Sequence, residues 1–211
     1  MYLRRCLSVQ VLGLSGLGLL LLSAPAMAHH PFGEETPTTA LAGFLSGLGH
    51  PVIGLDHLAV VITVGLLAVV CPRGHWIPGA FLITALLGTL IHLQGLDLPA
   101  SEVLISASVL GLASILAMKN TLPVGGVIAL AAGAGVCHGY AYGEAIVGAD
   151  MSALLAYLLG FTAIQMAIAG GVYGIANLGN HTSHMPSLQL RFAGFTLAGV
   201  GTALLSTVVL G

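Results

Sequence analysis

Charge is what this sequence has least of. Of 211 residues, five are Lys or Arg and seven are Asp or Glu, 6% in all, against roughly 25% in a soluble globular chain. So few basic residues leave no electrostatic footprint for nucleic acid. The composition is equally far from that of an intrinsically disordered chain, which is rich in charge and poor in apolar residues. Cysteine is scarce as well. Cys6, Cys71 and Cys137 form no CxxC pair, so neither a disulfide nor a thiolate metal knuckle is expected. The 30 glycines follow no triplet period, which excludes collagen. Apolar residues, in contrast, make up 57% of the chain, and there are nine histidines. The first number describes an integral membrane protein; the second needs a functional explanation.

Residues 1–28 have the parts of a secretory signal peptide. Arg4 and Arg5 form a positive start, Val11 to Leu22 an apolar run, and Ala26-Met27-Ala28 a small-x-small cleavage site. The rival reading is an uncleaved first transmembrane helix, and the Ser23-Ala24-Pro25 break favours cleavage. The mature chain is then expected to start at His29, outside the inner membrane of a bacterium. From Ala40 onward, apolar runs of about 20 residues are each long enough to cross a ~30 Å hydrocarbon core. The expected fold is an all-α bundle of six transmembrane helices in one transport domain, 29–211. Its spans lie near 52–71, 77–95, 101–118, 123–147, 152–177 and 190–210. Residues 40–49 read as a short apolar lead-in, a half-helix at the surface.

Orientation follows from the basic residues. With the mature N-terminus outside, the first, third and fifth loops are cytoplasmic, and they hold Arg73, Lys119 and Arg191. Glu34, Glu35, Asp97, Glu102 and Asp150 fall on the outer side. Both ends of the mature chain are therefore expected in the periplasm. Glycines crowd the last three spans: Gly125, Gly126, Gly133, Gly135, Gly139 and Gly143, then Gly160, Gly170, Gly171 and Gly174, then Gly194, Gly199 and Gly201. They read as close helix packing through small-xxx-small faces. No hydropathy repeat relates the two halves in the manner of an inverted-repeat transporter.

Ionisable side chains within a span are costly, so each is a functional candidate. The densest group is His50-Pro51-Val52-Ile53-Gly54-Leu55-Asp56-His57. Pro51 suits a first helical position and puts His50 near the cap. His50 and His57, two turns apart, face the same way, whereas Asp56 lies about 100° round from His57. Gly54 permits the distortion that would gather all three. Two imidazoles and a carboxylate suit Ni²⁺, Co²⁺, Zn²⁺ or Cu²⁺, and not Mg²⁺ or Ca²⁺.

The fourth span carries Cys137-His138-Gly139-Tyr140-Ala141-Tyr142-Gly143-Glu144. His138 lies about 22 Å past the cytoplasmic start at the helical rise, in the outer half, with Glu144 nearer the surface. Tyr140 and Tyr142 read as packing residues. His92 sits close to the outer end of the second span. His50, Asp56, His57, His92, His138 and Glu144 thus reach a similar depth from three spans, as one outward-facing metal site requires. Gln165 and Met166, deeper in the fifth span, line a route inward or, for Gln165, bond to backbone. His29-His30 at the mature start offers an α-amine beside two imidazoles, either a capture site for a transition metal or a tail with chance histidines. His75, His181 and His184 lie on the cytoplasmic side, where they could receive an ion.

The run His50-Pro51-x-x-Gly54-x-Asp56-His57 resembles the HPxxGxDH signature of the HupE/UreJ family of nickel/cobalt permeases, which accompany NiFe-hydrogenase or urease. The resemblance extends to the signal peptide, the six-span layout and His138-Gly139-Tyr140-Ala141. That family's second motif reads like HGxAHGxE; here Tyr142 replaces its second His and the acid, Glu144, is displaced by one position. Where its fifth span often has a Leu-His pair, this chain has Gln165-Met166. The resemblance implies that His50, Asp56 and His57 are essential, with His138 next. It also implies a secondary permease that moves Ni²⁺ or Co²⁺ into the cytoplasm, without a prosthetic group. A nickel metallochaperone or a hydrogenase or urease maturation protein is its natural partner.

No Walker motif is present to couple ATP. Protonation of the imidazoles at low pH is expected to compete with the metal. Two other readings compete with transport. An intramembrane metal-dependent enzyme is disfavoured by the absence of HExxH and of a GxSxG with its histidine. A non-transporting partner of a metalloenzyme maturation system is disfavoured by cytoplasmic loops too short for docking.

Overall fold

A computed structural model describes residues 36–118, 122–179 and 187–211. The signal-peptide reading of residues 1–28, the pair His29-His30, and His181 and His184 lie outside the described residues. All regular structure within them is helical: α1 (Ala40–Ile53), α2 (Leu55–Val70), α3 (Trp76–Leu93), α4 (Ser101–Ala117), α5 (Val124–Glu144), α6 (Met151–Gly179) and α7 (Leu188–Leu210). Helices α3, α5, α6 and α7 are each long and apolar enough to cross a bilayer, and α1 and α2 qualify together as one bent pair. Helix α4 is apolar but has 17 residues, about 25 Å at the helical rise.

The sequence placed five of these helices within a turn of their observed bounds, and misread the start of the first span. Residues 40–49 are helical, as the half-helix reading has them, but the half-helix does not stop at Gly49. They belong to α1, which runs on through His50 and Pro51 to Ile53. Pro51 therefore lies in the last turn of a helix, and does not open one. The missing N–H costs a single bond so near the end, and Gly54 stops the helix three residues later with extended backbone (φ −71°, ψ 110°). Helix α2 restarts at Leu55, bent 78° from α1. The apolar run that read as continuous is a broken helix.

Helix α2 forms the centre of the bundle. Twelve of its 16 residues are buried, and it touches α1, α3, α4, α6 and α7. The residues from Val60 to Val70 meet Phe81, Val109, Leu112, Leu116 and Val127 in the main apolar core. Thr63, the polar residue of that stretch, returns its hydroxyl proton to the Ala59 carbonyl. A helix buried on all sides needs apolar residues all round, which explains why α2 shows no amphipathic stripe.

Three outer helix pairs pack backbone to backbone. On the α3–α5 contact, a Cβ at Gly139 would overlap the Ala85 carbonyl, and one at Gly88 the Val136 carbonyl. The Thr89 hydroxyl bridges the same contact, donating to the Gly139 carbonyl at 2.8 Å. Gly43, Gly47 and Gly160 bring α1 onto α6, and Gly194 and Gly201 bring α7 onto α4. The packing role expected of the glycines applies only to those on these faces. Gly125, Gly126, Gly133, Gly170, Gly171, Gly174 and Gly199 meet nothing within 4 Å, because they point out of the bundle.

Candidate functional site

The break at Gly54 and the inner face of α5 build one buried polar cluster. His50 is buried on the face of α1 that carries Gly43, Ser46 and Gly47. Across the 78° bend, His57 in the first turns of α2 comes back beside it, with ring centroids 5.3 Å apart. His138 reaches the same place from α5, with no exposed surface. Its Nδ1 stands 2.8 Å from Nδ1 of His57. Two neutral imidazoles can meet in this way only if one nitrogen carries a proton and the other a lone pair.

Asp56 flanks the pair. Its Oδ1 accepts the backbone N–H of His57 at 2.8 Å and lies 4.0 Å from His57 Nε2. The carboxylate is partly open, with 22% of its side chain exposed, so it supplies negative charge at the edge of an otherwise closed site. Gly54 keeps the space for this arrangement. A Cβ there would stand 2.6 Å from Cδ2 of His57 and 3.0 Å from the Asp56 carboxylate. The glycine of the motif is thus needed for room, since any residue could adopt its backbone angles.

Hydroxyl and amide groups complete the cluster. The Tyr142 ring packs against the imidazoles of both His50 (5.1 Å) and His57 (4.5 Å), and its hydroxyl points to Oε1 of Gln165 at 3.5 Å. Gln165 is fully buried, and its amide donates to the Phe161 carbonyl. Tyr157 on α6 bonds Nδ1 of His50 at 3.0 Å. Ser108 on α4 bonds Nε2 of His138 at 3.0 Å. Buried polar groups thus find partners from α1, α2, α4, α5 and α6, as the low-dielectric interior requires.

The structure brings together His50, Asp56, His57 and His138, with Gln165 below them. It does not bring in the other candidates. His92 packs edge-on against Tyr140, centroids 4.4 Å apart, on the α3–α5 contact. A Cβ on Gly143 would stand 2.7 Å from that of His92, and His92 Nδ1 is buried without a hydrogen-bond partner. Glu144 is exposed at the end of α5. Met166 is 59% exposed on the outer surface of α6. Among the described residues, no three His, Cys, Asp or Glu side chains converge closely enough to cage an ion. Tyr157 and Ser108 are the site residues that sequence reasoning missed. Ser108 is one of four serines in α4 and Tyr157 lies in a largely apolar α6, with no spacing to distinguish either from a packing residue.

Long apolar helices wrapped around a buried imidazole pair define a multi-pass membrane protein with a polar heart. The profile of the family described as HupE / UreJ protein matches residues 17–204, so the chain belongs to the HupE/UreJ family. This family is associated with nickel and cobalt uptake for hydrogenase and urease. Protein HupE of Rhizobium leguminosarum bv. viciae is 31% identical over 194 residues, covering 89% of this chain and 94% of that relative. No solved structure is significantly similar.

Proposed function

We propose that the protein is a secondary permease that moves Ni²⁺ or Co²⁺ across the bacterial inner membrane into the cytoplasm, supplying hydrogenase or urease maturation. The observation that carries this reading is the His57–His138 contact, with Nδ1 atoms 2.8 Å apart. Two nitrogens each about 2.0–2.1 Å from an ion and at right angles around it stand about 2.9 Å from each other. The pair is therefore spaced as neighbouring ligands of one octahedral or square-planar ion. Imidazole binds Ni²⁺ and Co²⁺ well without the tenacity of thiolate, and conduction needs ligands that also let go.

In this reading the ion is collected at His29-His30, passes Glu144 at the exposed end of α5, and reaches His57 and His138. His50 and Asp56 lie alongside and would join as ligands only by closing on the bound ion. Gln165 receives it on the inner side. All six apolar stretches span the bilayer, α4 included, because 17 residues fall at the short end of the spanning range. Arg73, Lys119 and Arg191 then share the cytoplasmic face. The Nε–H of Arg191 donates to the Ala117 carbonyl at the end of α4 (3.0 Å), which supports one common face for the ends of α4 and α7.

Uptake of radioactive nickel by cells making the wild type or His57→Ala tests the proposal. Uptake should collapse in the variant. Equal uptake, with the variant inserted normally, would rule out transport through this site.

A further inference from the structure

The two outer imidazoles of the cluster are each held by a hydroxyl, and each hydroxyl is itself held by a backbone carbonyl. Ser108 Oγ lies 2.7 Å from the Ile105 carbonyl oxygen, one turn earlier on α4. That separation is a full O–H···O hydrogen bond, and the carbonyl has no proton to give, so the serine proton points at Ile105. Towards His138 Nε2, 3.0 Å away, Ser108 can then only accept. Nε2 of His138 therefore carries the ring proton, and Nδ1 carries the lone pair. That Nδ1 is the atom facing His57.

Tyr157 repeats the arrangement on the other side. Its hydroxyl donates to the Tyr142 carbonyl at 2.9 Å and lies 3.0 Å from His50 Nδ1. With its proton committed, Tyr157 accepts from His50. His50 is thereby set as the Nδ1–H form, with its lone pair on Nε2. A histidine binds a metal only through a lone pair, and the group bonded to its other nitrogen fixes which one that is.

We propose that Ser108 and Tyr157 are positioning residues of the metal site, hydroxyls clamped on backbone carbonyls that hold His138 and His50 in the tautomers serving the ion. This rests on the metal-site reading above. Neither residue belongs to a recognisable motif, and they come from different helices, α4 and α6. The shared device is a carbonyl-committed hydroxyl on the far nitrogen of an imidazole.

Calorimetric titration of Ni²⁺ into the purified full-length protein in detergent tests this. Ser108→Ala should weaken binding about tenfold to a hundredfold, the usual cost of losing a partner behind a metal ligand. Ser108→Thr should bind close to wild type, because a helical threonine hydroxyl reaches the same carbonyl one turn back. Tyr157→Phe should weaken binding in the same range. Wild-type affinity in Ser108→Ala and Tyr157→Phe, with His138→Ala impaired, would overturn the proposal and leave the metal site standing. Wild-type affinity in both His57→Ala and His138→Ala would instead remove the metal site itself. The ¹⁵N spectrum of histidine-labelled wild type gives a readout independent of folding defects in any variant. It should show His138 protonated on Nε2, and protonation on Nδ1 would overturn the proposal outright.

Discussion

Nδ1 of His57 and Nδ1 of His138 stand 2.8 Å apart although the residues are 81 positions apart in the chain. One sits just after a helix break and the other deep in an unbroken helix, so the contact depends on how α2 and α5 are held. If the pair forms the ion site, losing either imidazole removes half of the closest donor set. His138→Ala should insert normally and lose more than about a hundredfold in nickel affinity, beyond what losing the hydroxyl behind a ligand costs. Calorimetry on the purified variant is the check.

Gly54→Ala separates two roles of that glycine. Its backbone angles suit any residue, so the bend itself should survive and the protein should remain folded. The new methyl group would press on the His57 ring and the Asp56 carboxylate. Nickel uptake should fall about tenfold while thermal stability in detergent changes by about 1 kcal/mol or less. A variant that unfolds would show that the bend, not the space, needs glycine.

Tyr142 packs against His50 and His57 without offering a nitrogen. Tyr142→His would place a third imidazole near His50 and His57. Nickel affinity should rise about tenfold, and the maximal uptake rate should drop as release slows. Titration and initial-rate uptake on the same variant measure the two effects.

Gln165 and Met166 are neighbours with opposite surroundings. Gln165→Leu deprives the buried Tyr142 hydroxyl of its acceptor and should cost about 1–3 kcal/mol of stability. Met166→Leu alters only an exposed apolar surface and should be nearly silent. Melting temperatures of the two variants decide this.

On the α3–α5 contact, Gly139→Ala would drive a methyl group into the Ala85 carbonyl. It should cost about 1–3 kcal/mol as overpacking. Gly133→Ala, on the same helix but facing open space, should leave stability unchanged or slightly raised. The pair of variants isolates close helix approach from glycine content.

Much of the bundle could be read from the sequence because membrane helices announce themselves by length and apolarity. Gly54 was legible as the point of distortion, but the side of it to which Pro51 belongs was not, since Pro51 at the end of one helix and at the start of another produces the same local sequence. His50, His57 and His138 were legible because an imidazole in an uncharged stretch is conspicuous. His92 was grouped with them by depth alone, and depth does not specify which way a side chain turns around its helix. Ser108 and Tyr157 left no trace because their value lies in which nitrogen they touch, a property of three dimensions.

The break at Gly54 also governs the electric field that an arriving cation meets. A helix ends in a partial negative pole and begins in a partial positive one. Here the tail of α1 and the head of α2 meet across a single residue. Opposed so closely, the two poles largely offset each other, unlike a half-helix aimed singly at its ligand. Asp56, the one acidic residue in the first turn of α2, then supplies the attraction for a cation, and the neutral imidazoles are left to discriminate among the cations it draws in.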